Sequence, residues 1–122
     1  AVRLGLNPEG GFAESPYAFT EADLLRGKAL YQSFCAICHG ARGEGDGRAI
    51  PLGVPKPRSY HDPAVRDQPE GYFYFAATNG FGRMLPYKSR IPERERWLIA
   101  HYIKRCLLSE ACPEEVVHAE VH

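Results

Sequence analysis

The positions of apolar residues along the chain predict helices. The first helical pattern begins after Thr20, which suits a helix N-cap and is followed three residues later by Asp23, as in a capping box. Apolar residues then recur at roughly helical intervals as far as Phe34. We therefore predict a first helix over about residues 21–34.

Three further helices are predicted downstream. An Asp-Pro pair at 62–63 indicates a helix of about one or two turns. A longer helix is predicted over 69–79, where it ends at an Asn-Gly pair, although the aromatic run at 72–75 also suits a strand. The last helix is expected over about 92–108. These predictions place the chain in the all-α class.

The rest of the sequence divides the chain into three parts. Residues 1–19 are interrupted by glycines and prolines and predict an irregular N-terminal arm. Residues 20–108 predict one domain with a Gly- and Pro-rich loop over 40–60, and residues 109–122 predict a C-terminal tail. No apolar run approaches the roughly 18 residues of a membrane span, and no signal-peptide pattern opens the sequence, so we expect a mature or trimmed form.

Length and charge narrow the classes of function. A chain of 122 residues suffices for one domain. Its 15 basic and 15 acidic residues give a formal net charge of zero, which argues against nucleic acid as the main partner.

The segment Cys-Ala-Ile-Cys-His at 35–39 has the spacing of a haem c attachment motif. Residues i and i+3 of a helical turn point to the same side, so the thiols of Cys35 and Cys38 reach one porphyrin edge and add to its two vinyl groups. The adjacent His39 is then the proximal iron ligand. We predict one covalent haem c at this motif.

Two other uses of a Cys-x-x-Cys pair fit this context less well. A redox dithiol of the thioredoxin type belongs to a βαβ unit, whereas this pair follows a helix and precedes a Gly-rich loop. A structural zinc site needs four ligands, and Cys106 and Cys112 make a poor second pair because no histidine accompanies them.

Met84 is the predicted second axial ligand, so the metal ligands would be His39 and Met84. It is the single methionine of the chain and lies in a Gly-rich loop before Pro86, where a core-filling side chain is less expected. His61 is the best alternative. The other rival ligands are His101, His118 and His122.

Cys106 and Cys112 are predicted to form a disulfide. A helix continuing through both would separate them by about 9 Å, too far to bridge. Pro113 and the polar turn before it indicate that the helix ends near residue 108, which lets the chain fold back.

The order of these features resembles class I cytochrome c. It comprises an N-terminal helix with Gly27 and Tyr31, the attachment motif, a Pro-containing loop, Met84 and a C-terminal helix. The resemblance covers about residues 20–108. It implies a class I cytochrome c fold around one covalent haem, with the N- and C-terminal helices crossing at Gly27, near Tyr31 and Tyr102.

Local features are similar to bacterial monohaem cytochromes that accompany alternative complex III and haem-copper oxygen reductases. They are the Gly-rich segment 40–47, Met84 with Pro86 and Tyr87, and Glu-Arg-Trp at 95–97. This resemblance implies a monomeric one-electron carrier of a respiratory chain, not an enzyme, in the periplasm or on the outer face of the cytoplasmic membrane. Its donor would be a quinol-oxidising complex and its acceptor a haem-copper oxidase. The alternatives are a fixed electron-entry subunit of a larger redox complex and a haem peroxidase.

The resemblance also implies roles around the haem. A proline carbonyl of the following loop would accept a hydrogen bond from His39. Pro51, Pro55 and Pro57 all qualify, and Pro55 or Pro57 is preferred. Arg58 and Tyr60 would bond a haem propionate, unless they are simply surface residues. The aromatic candidates for the pocket wall, each of which also suits plain core packing, are Phe73, Phe75, Phe81 and Trp97.

Partners of this family approach the exposed haem edge. A basic rim would attract an acidic partner there, and its candidate residues are Lys56, Arg58, Arg83, Lys88 and Arg90. The opposing prediction is a mainly apolar contact through Phe81, Leu85 and Pro86.

Overall fold

Helices make up the regular structure of the part of the chain that the computed structural model describes, which is residues 14–80, 84 and 86–121. The predicted all-α class is confirmed. The α-helices in these residues are α1 (Glu21–Phe34), α2 (Ala36–His39), α3 (Pro63–Arg66), α4 (Glu70–Asn79), α5 (Glu93–Tyr102) and α6 (Glu114–His118). None of them is long and apolar enough to cross a membrane. Phe81, Arg83, Leu85, His122 and most of the arm lie outside the described residues.

The start of α1 agrees with the capping-box prediction. The Oγ1 atom of Thr20 accepts a hydrogen bond from the backbone N–H of Asp23 at 3.2 Å, and the Asp23 carboxylate accepts one from the N–H of Thr20 at 2.9 Å. Both bonds satisfy N–H groups that have no partner inside the helix.

The aromatic run at 72–75 is helical, so its strand propensity does not decide the structure. Phe73, Tyr74 and Ala77 are buried on one side of α4, which packs against α5. The ring of Tyr74 stacks on Trp97 of α5 with centroids 4.1 Å apart. Burial of this face outweighs a difference in propensity that spans only about 1 kcal/mol.

Helices α1 and α5 cross at Gly27, as the resemblance implies. A Cβ added at Gly27 would lie 3.2 Å from the Leu98 carbonyl oxygen and from the Tyr102 Cβ. The rings of Tyr31 and Tyr102 lie next to this crossing, with centroids 5.6 Å apart. The missing side chain at position 27 therefore sets the distance between the two helices.

The C-terminal helix differs from the prediction of one element over 92–108. It is α-helical only to Tyr102 and continues as a π-helical turn over Ile103–Leu107. The chain then folds back, and a disulfide joins Cys106 to Cys112, whose Cα atoms are 4.4 Å apart. A hydrogen bond from Arg105 Nε to the Ala111 carbonyl, 3.1 Å long, spans the same turn.

The segment predicted as a tail packs against α1 through α6. Val116 of α6 is fully buried. The Nζ atom of Lys28, which is only 7% exposed, donates to the carbonyls of Val116, Val117 and Ala119 at 2.7, 2.9 and 2.8 Å. Through these three hydrogen bonds, the Lys28 ammonium connects the middle of α1 to the C-terminal end of α6.

Candidate functional site

A cavity of about 690 Å³ lies between the attachment motif, the loop before α3, and the helices α4 and α5. Its volume is in the range of cofactor pockets, and its wall is mainly apolar and aromatic. The residues that line it are Phe34, Cys35, Cys38, His39, Val54, Pro55, Lys56, Pro57, Arg58, Tyr60, Val65, Tyr72, Phe73, Ala76, Ala77, Met84, Tyr87, Ile99 and Ile103.

The attachment motif follows α1 without a break. The N–H of Cys35 bonds the Tyr31 carbonyl at 2.8 Å, and the N–H of His39 bonds the Cys35 carbonyl at 3.0 Å. The first bond ends α1, and the second closes the single turn α2, which directs Cys35, Cys38 and His39 to the cavity. Both cysteines are free thiols. Burial raises the pKa of Cys35 to about 12, so it remains a protonated thiol at neutral pH.

His39 has the properties of a metal ligand. Burial lowers its pKa to about 4, so the imidazole is neutral at pH 7 and keeps a lone pair for a metal. Its Nδ1 atom is buried and has no hydrogen-bond partner among the described residues.

The predicted hydrogen bond from His39 to a proline carbonyl is not formed in this structure. Pro55 and Pro57 both line the cavity, but neither carbonyl accepts from Nδ1. The imidazole instead stacks on Tyr60, with ring centroids 4.9 Å apart and an interplanar angle of 17°. Tyr60 therefore supports one face of the imidazole.

The Gly-rich loop after the motif folds back on the motif. The N–H groups of Gly45, Gly47 and Ala49 bond the carbonyls of His39, Cys38 and Ile37 at 2.8, 3.1 and 3.0 Å. A Cβ at Gly47 would overlap the Ile37 carbonyl group. Glycine is therefore needed where the two backbone segments meet, and the loop serves to hold the motif in place.

Met84 lines the same cavity as His39, whereas the three rival ligands that the structure describes have other partners. The Nε2 atom of His61 bonds the Arg42 carbonyl at 2.8 Å, outside the cavity wall. His101 is half-buried and bonds the Glu70 carboxylate at 2.6 Å. His118 bonds Glu114 of its own helix.

The remaining predicted site residues divide into two groups. Arg58, Tyr60 and Phe73 line the cavity with the two prolines, whereas Phe75 does not. Trp97 also lies away from the cavity, because its fully buried ring packs on Tyr74 in the core.

Sequence reasoning missed several wall residues. Ile99 and Ile103 lie four residues apart in the predicted last helix, a spacing that suits a buried face but does not show that the face lines a cavity. Tyr87 was noted only for the resemblance. Its hydroxyl donates to the Phe34 carbonyl at 3.3 Å across the cavity wall.

Positive charge gathers at the edge of the cavity. Lys56 and Arg58 are exposed wall residues, and Arg58 approaches Asp62 only at 3.7 Å, a pairing of little strength at an exposed site. The Arg90 guanidinium lies 5.7 and 5.4 Å from the ring centroids of Phe34 and Tyr87, both wall residues.

These side chains fit a covalently bound haem. The cavity brings together two free thiols, a neutral imidazole with an unpartnered ring nitrogen, and a thioether sulfur. Thiols attach a haem c, and histidine with methionine is the ligand pair of electron-transferring cytochromes.

Comparison with known proteins agrees with this fit. Residues 22–103 match the family described as cytochrome c oxidase, cbb3-type, subunit III. A chain of the Kuenenia stuttgartiensis reducing HAO-like protein complex Kustc0457/Kustc0458 is 27% identical over 78% of this chain, with a TM-score of 0.63. This chain spans only 47% of that relative.

The KustC0563 c-type cytochrome shares the fold. It is 20% identical, with a TM-score of 0.55, over 69% of this chain and 98% of its own length. No curated protein shows a significant match to the sequence.

Proposed function

Since the chain belongs to the cytochrome c oxidase, cbb3-type, subunit III family of c-type cytochromes, we propose that it carries single electrons through one haem c. Membership of a c-type cytochrome family implies covalently bound haem and electron transfer. The observation that supports the finer assignment is the cavity that Cys35, Cys38, His39 and Met84 share. The two thiols would form the covalent bonds, and His39 and Met84 would be the axial ligands.

Each part of the site has a role in this proposal. Haem, when bound, supplies an iron that alternates between the ferric and ferrous states. The chain offers His39 on α2 and Met84 on the segment after α4, so two protein side chains would bind the iron. Apolar wall residues such as Val65, Phe73 and Ile99 exclude water, which together with methionine ligation favours the reduced form.

We propose that the protein works in a respiratory chain on the outer side of the cytoplasmic membrane. A quinol-oxidising complex would be the electron donor and a haem-copper oxidase the acceptor. The family description, which names an oxidase subunit, supports the acceptor class. Exposed Lys56 and Arg58 at the cavity edge would favour an acidic docking surface.

The same family description favours a second candidate, a fixed electron-entry subunit of an oxidase complex. A carrier that diffuses and a subunit that stays bound differ in mass under native conditions. Size-exclusion chromatography of a gently solubilised native membrane extract, with detection of haem absorbance, distinguishes them. Elution near the mass of the chain supports the carrier, and elution with oxidase activity supports the subunit.

A haem peroxidase is less well supported. Such an enzyme uses an acid–base side chain next to the iron. The only histidine among the described wall residues is His39, and His61 bonds the Arg42 carbonyl instead.

Visible spectra of the oxidised and reduced protein test the ligand assignment. We expect low-spin, six-coordinate haem with the long-wavelength charge-transfer band of methionine-ligated ferric haem. Met84→Ala should abolish this band and lower the reduction potential, whereas the control His61→Ala should keep both. A wild-type spectrum of high-spin ferric haem would contradict the assignment.

A further inference from the structure

Arg96 is a charged side chain in the core between α4 and α5. Its residue is 6% exposed. The guanidinium donates on one side to α4, where Nε bonds the Thr78 hydroxyl at 3.0 Å and one terminal nitrogen bonds the Tyr74 hydroxyl at 3.1 Å. None of the hydrogen bonds that it makes to described residues has a carboxylate as acceptor.

The other side of the guanidinium binds the segment that follows Met84. The second terminal nitrogen donates to the backbone carbonyls of Lys88 and Ile91, at 3.0 and 2.5 Å. Ile91 is itself only 2% exposed, so its carbonyl lies where water cannot replace the guanidinium.

Other contacts also hold this segment, among them the hydrogen bond from the Tyr87 hydroxyl to the Phe34 carbonyl at 3.3 Å. The N–H of Tyr87 bonds the Ala77 carbonyl of α4 at 2.7 Å, and the N–H groups of Arg90 and Ile91 both bond the Tyr87 carbonyl. The residues between Met84 and α5 thus form a turn over 87–91. Arg96 binds two carbonyls of that turn.

We infer that Arg96 is a positioning residue for Met84, an inference that rests on the proposed role of Met84 as an iron ligand. The guanidinium ties the turn over 87–91 to α4 and α5, both of which line the cavity. The backbone of Met84 lies three residues before this turn, so the fixed turn limits how far the thioether can move from the cavity.

A planar guanidinium suits this role better than any other side chain. Its five N–H donors point in fixed directions and reach four acceptors on two elements at once. A lysine at position 96 has one nitrogen and cannot span the Thr78 hydroxyl and both carbonyls. A methionine would leave the carbonyls of Lys88 and Ile91 without a donor, which raises the free energy of the folded state. The turn over 87–91 can lower that free energy again by moving so that the carbonyls reach water.

The consequence is measurable as competition for the iron. A less restrained turn lets an added ligand displace the Met84 sulfur more easily. We expect the affinity of the ferric protein for imidazole to rise about tenfold in Arg96→Met, a change that corresponds to about 1.4 kcal/mol of lost restraint. Arg96→Lys should give a smaller rise, because its ammonium still reaches part of the acceptor set.

The control for a general loss of stability is Tyr74→Phe. This variant removes one hydrogen bond of Arg96 on α4 and leaves the two bonds to the turn over 87–91 intact. Imidazole titrations of ferric haem, read from the methionine charge-transfer band, are compared with urea unfolding for all variants. We expect Tyr74→Phe to lower the urea midpoint while its imidazole affinity stays that of the wild type.

The outcomes separate this inference from the proposed function. A wild-type protein without the methionine band would overturn the ligand assignment and the inference with it. A wild-type band together with wild-type imidazole affinity in Arg96→Lys and Arg96→Met would overturn the inference alone, as would an equal rise in Tyr74→Phe. If Arg96→Met does not fold, Arg96→Lys decides the question.

Discussion

Lys28 offers the sharpest test of how the C-terminal segment is held. Its buried Nζ binds three carbonyls at the end of α6, at distances of 2.7 to 2.9 Å. Lys28→Met keeps an aliphatic side chain of similar length and removes all three donors. The bond to the Val116 carbonyl is buried, so this acceptor loses its partner without access to water, which costs about 1–3 kcal/mol.

The other two carbonyls, those of Val117 and Ala119, are partly exposed and regain water. We therefore expect the free energy of unfolding to fall by about 2 kcal/mol. Helix α6 has only five residues and is not stable alone, so it should detach locally before the protein unfolds. If the fully buried Val116 becomes exposed, the loss rises by about another 1.5 kcal/mol.

Lys104→Met is the matched control. Its Nζ makes one exposed hydrogen bond, to the Arg66 carbonyl at 2.7 Å, so its removal should change stability by less than about 0.5 kcal/mol. Urea unfolding gives both free energies, and hydrogen exchange of residues 114–121 reports local detachment. Equal stability of the two variants, with unchanged exchange in Lys28→Met, would refute the reasoning.

Three further predictions concern single features. Replacing Cys106 and Cys112 with serine should cost about 2 kcal/mol on the loop-entropy model, and alkylation without reduction that labels both thiols of the native protein would disprove the disulfide. Gly47→Ala should reduce covalent haem attachment, measured by intact mass, because its Cβ overlaps the motif backbone. Gly53→Ala, with a positive φ but no atom within 4 Å of its Cβ, should attach haem normally, and equal attachment in both would contradict this account. Lys88→Glu should slow electron transfer to an acidic-faced oxidase domain at about 0.01 M salt and much less at about 0.15 M, because the Debye length falls from about 30 to about 8 Å. A wild-type rate that does not change with salt, together with the same rate in Lys88→Glu, would favour apolar docking.

Local signals explain why most of the helices could be predicted. The capping residues Thr20 and Asp23 act within one turn, and α1 has the predicted bounds. The haem motif is similarly local, because its three side chains lie on one turn. Its placement beside Met84 depends on the fold, which the resemblance supplied and the residue pattern alone did not.

Long-range contacts account for what the sequence did not reveal. A lysine in a predicted helix is normally expected to be exposed to solvent. Nothing near Lys28 in the sequence shows that its hydrogen-bond acceptors lie 88 to 91 residues away. Arg96 belonged to a run noted only for the resemblance. Trp97 was expected at the haem because a large aromatic ring suits either a pocket or the core, and composition does not distinguish the two.

Lys28 and Arg96 are buried cations of the same kind, since both donate to backbone carbonyls of irregular or very short segments. A buried ion pair can often be replaced on both sides by apolar residues without loss of stability. Apolar residues cannot replace both sides of these interactions, because the carbonyls of Val116 and Ile91 belong to the backbone and no substitution removes them. Removing either cation therefore always leaves acceptors without donors. The cost then depends on whether the segment can move to find water. For α6 this movement would detach a short helix, whereas for the turn over 87–91 it would displace Met84, so the two substitutions should differ more in their effect on the haem than in their effect on stability.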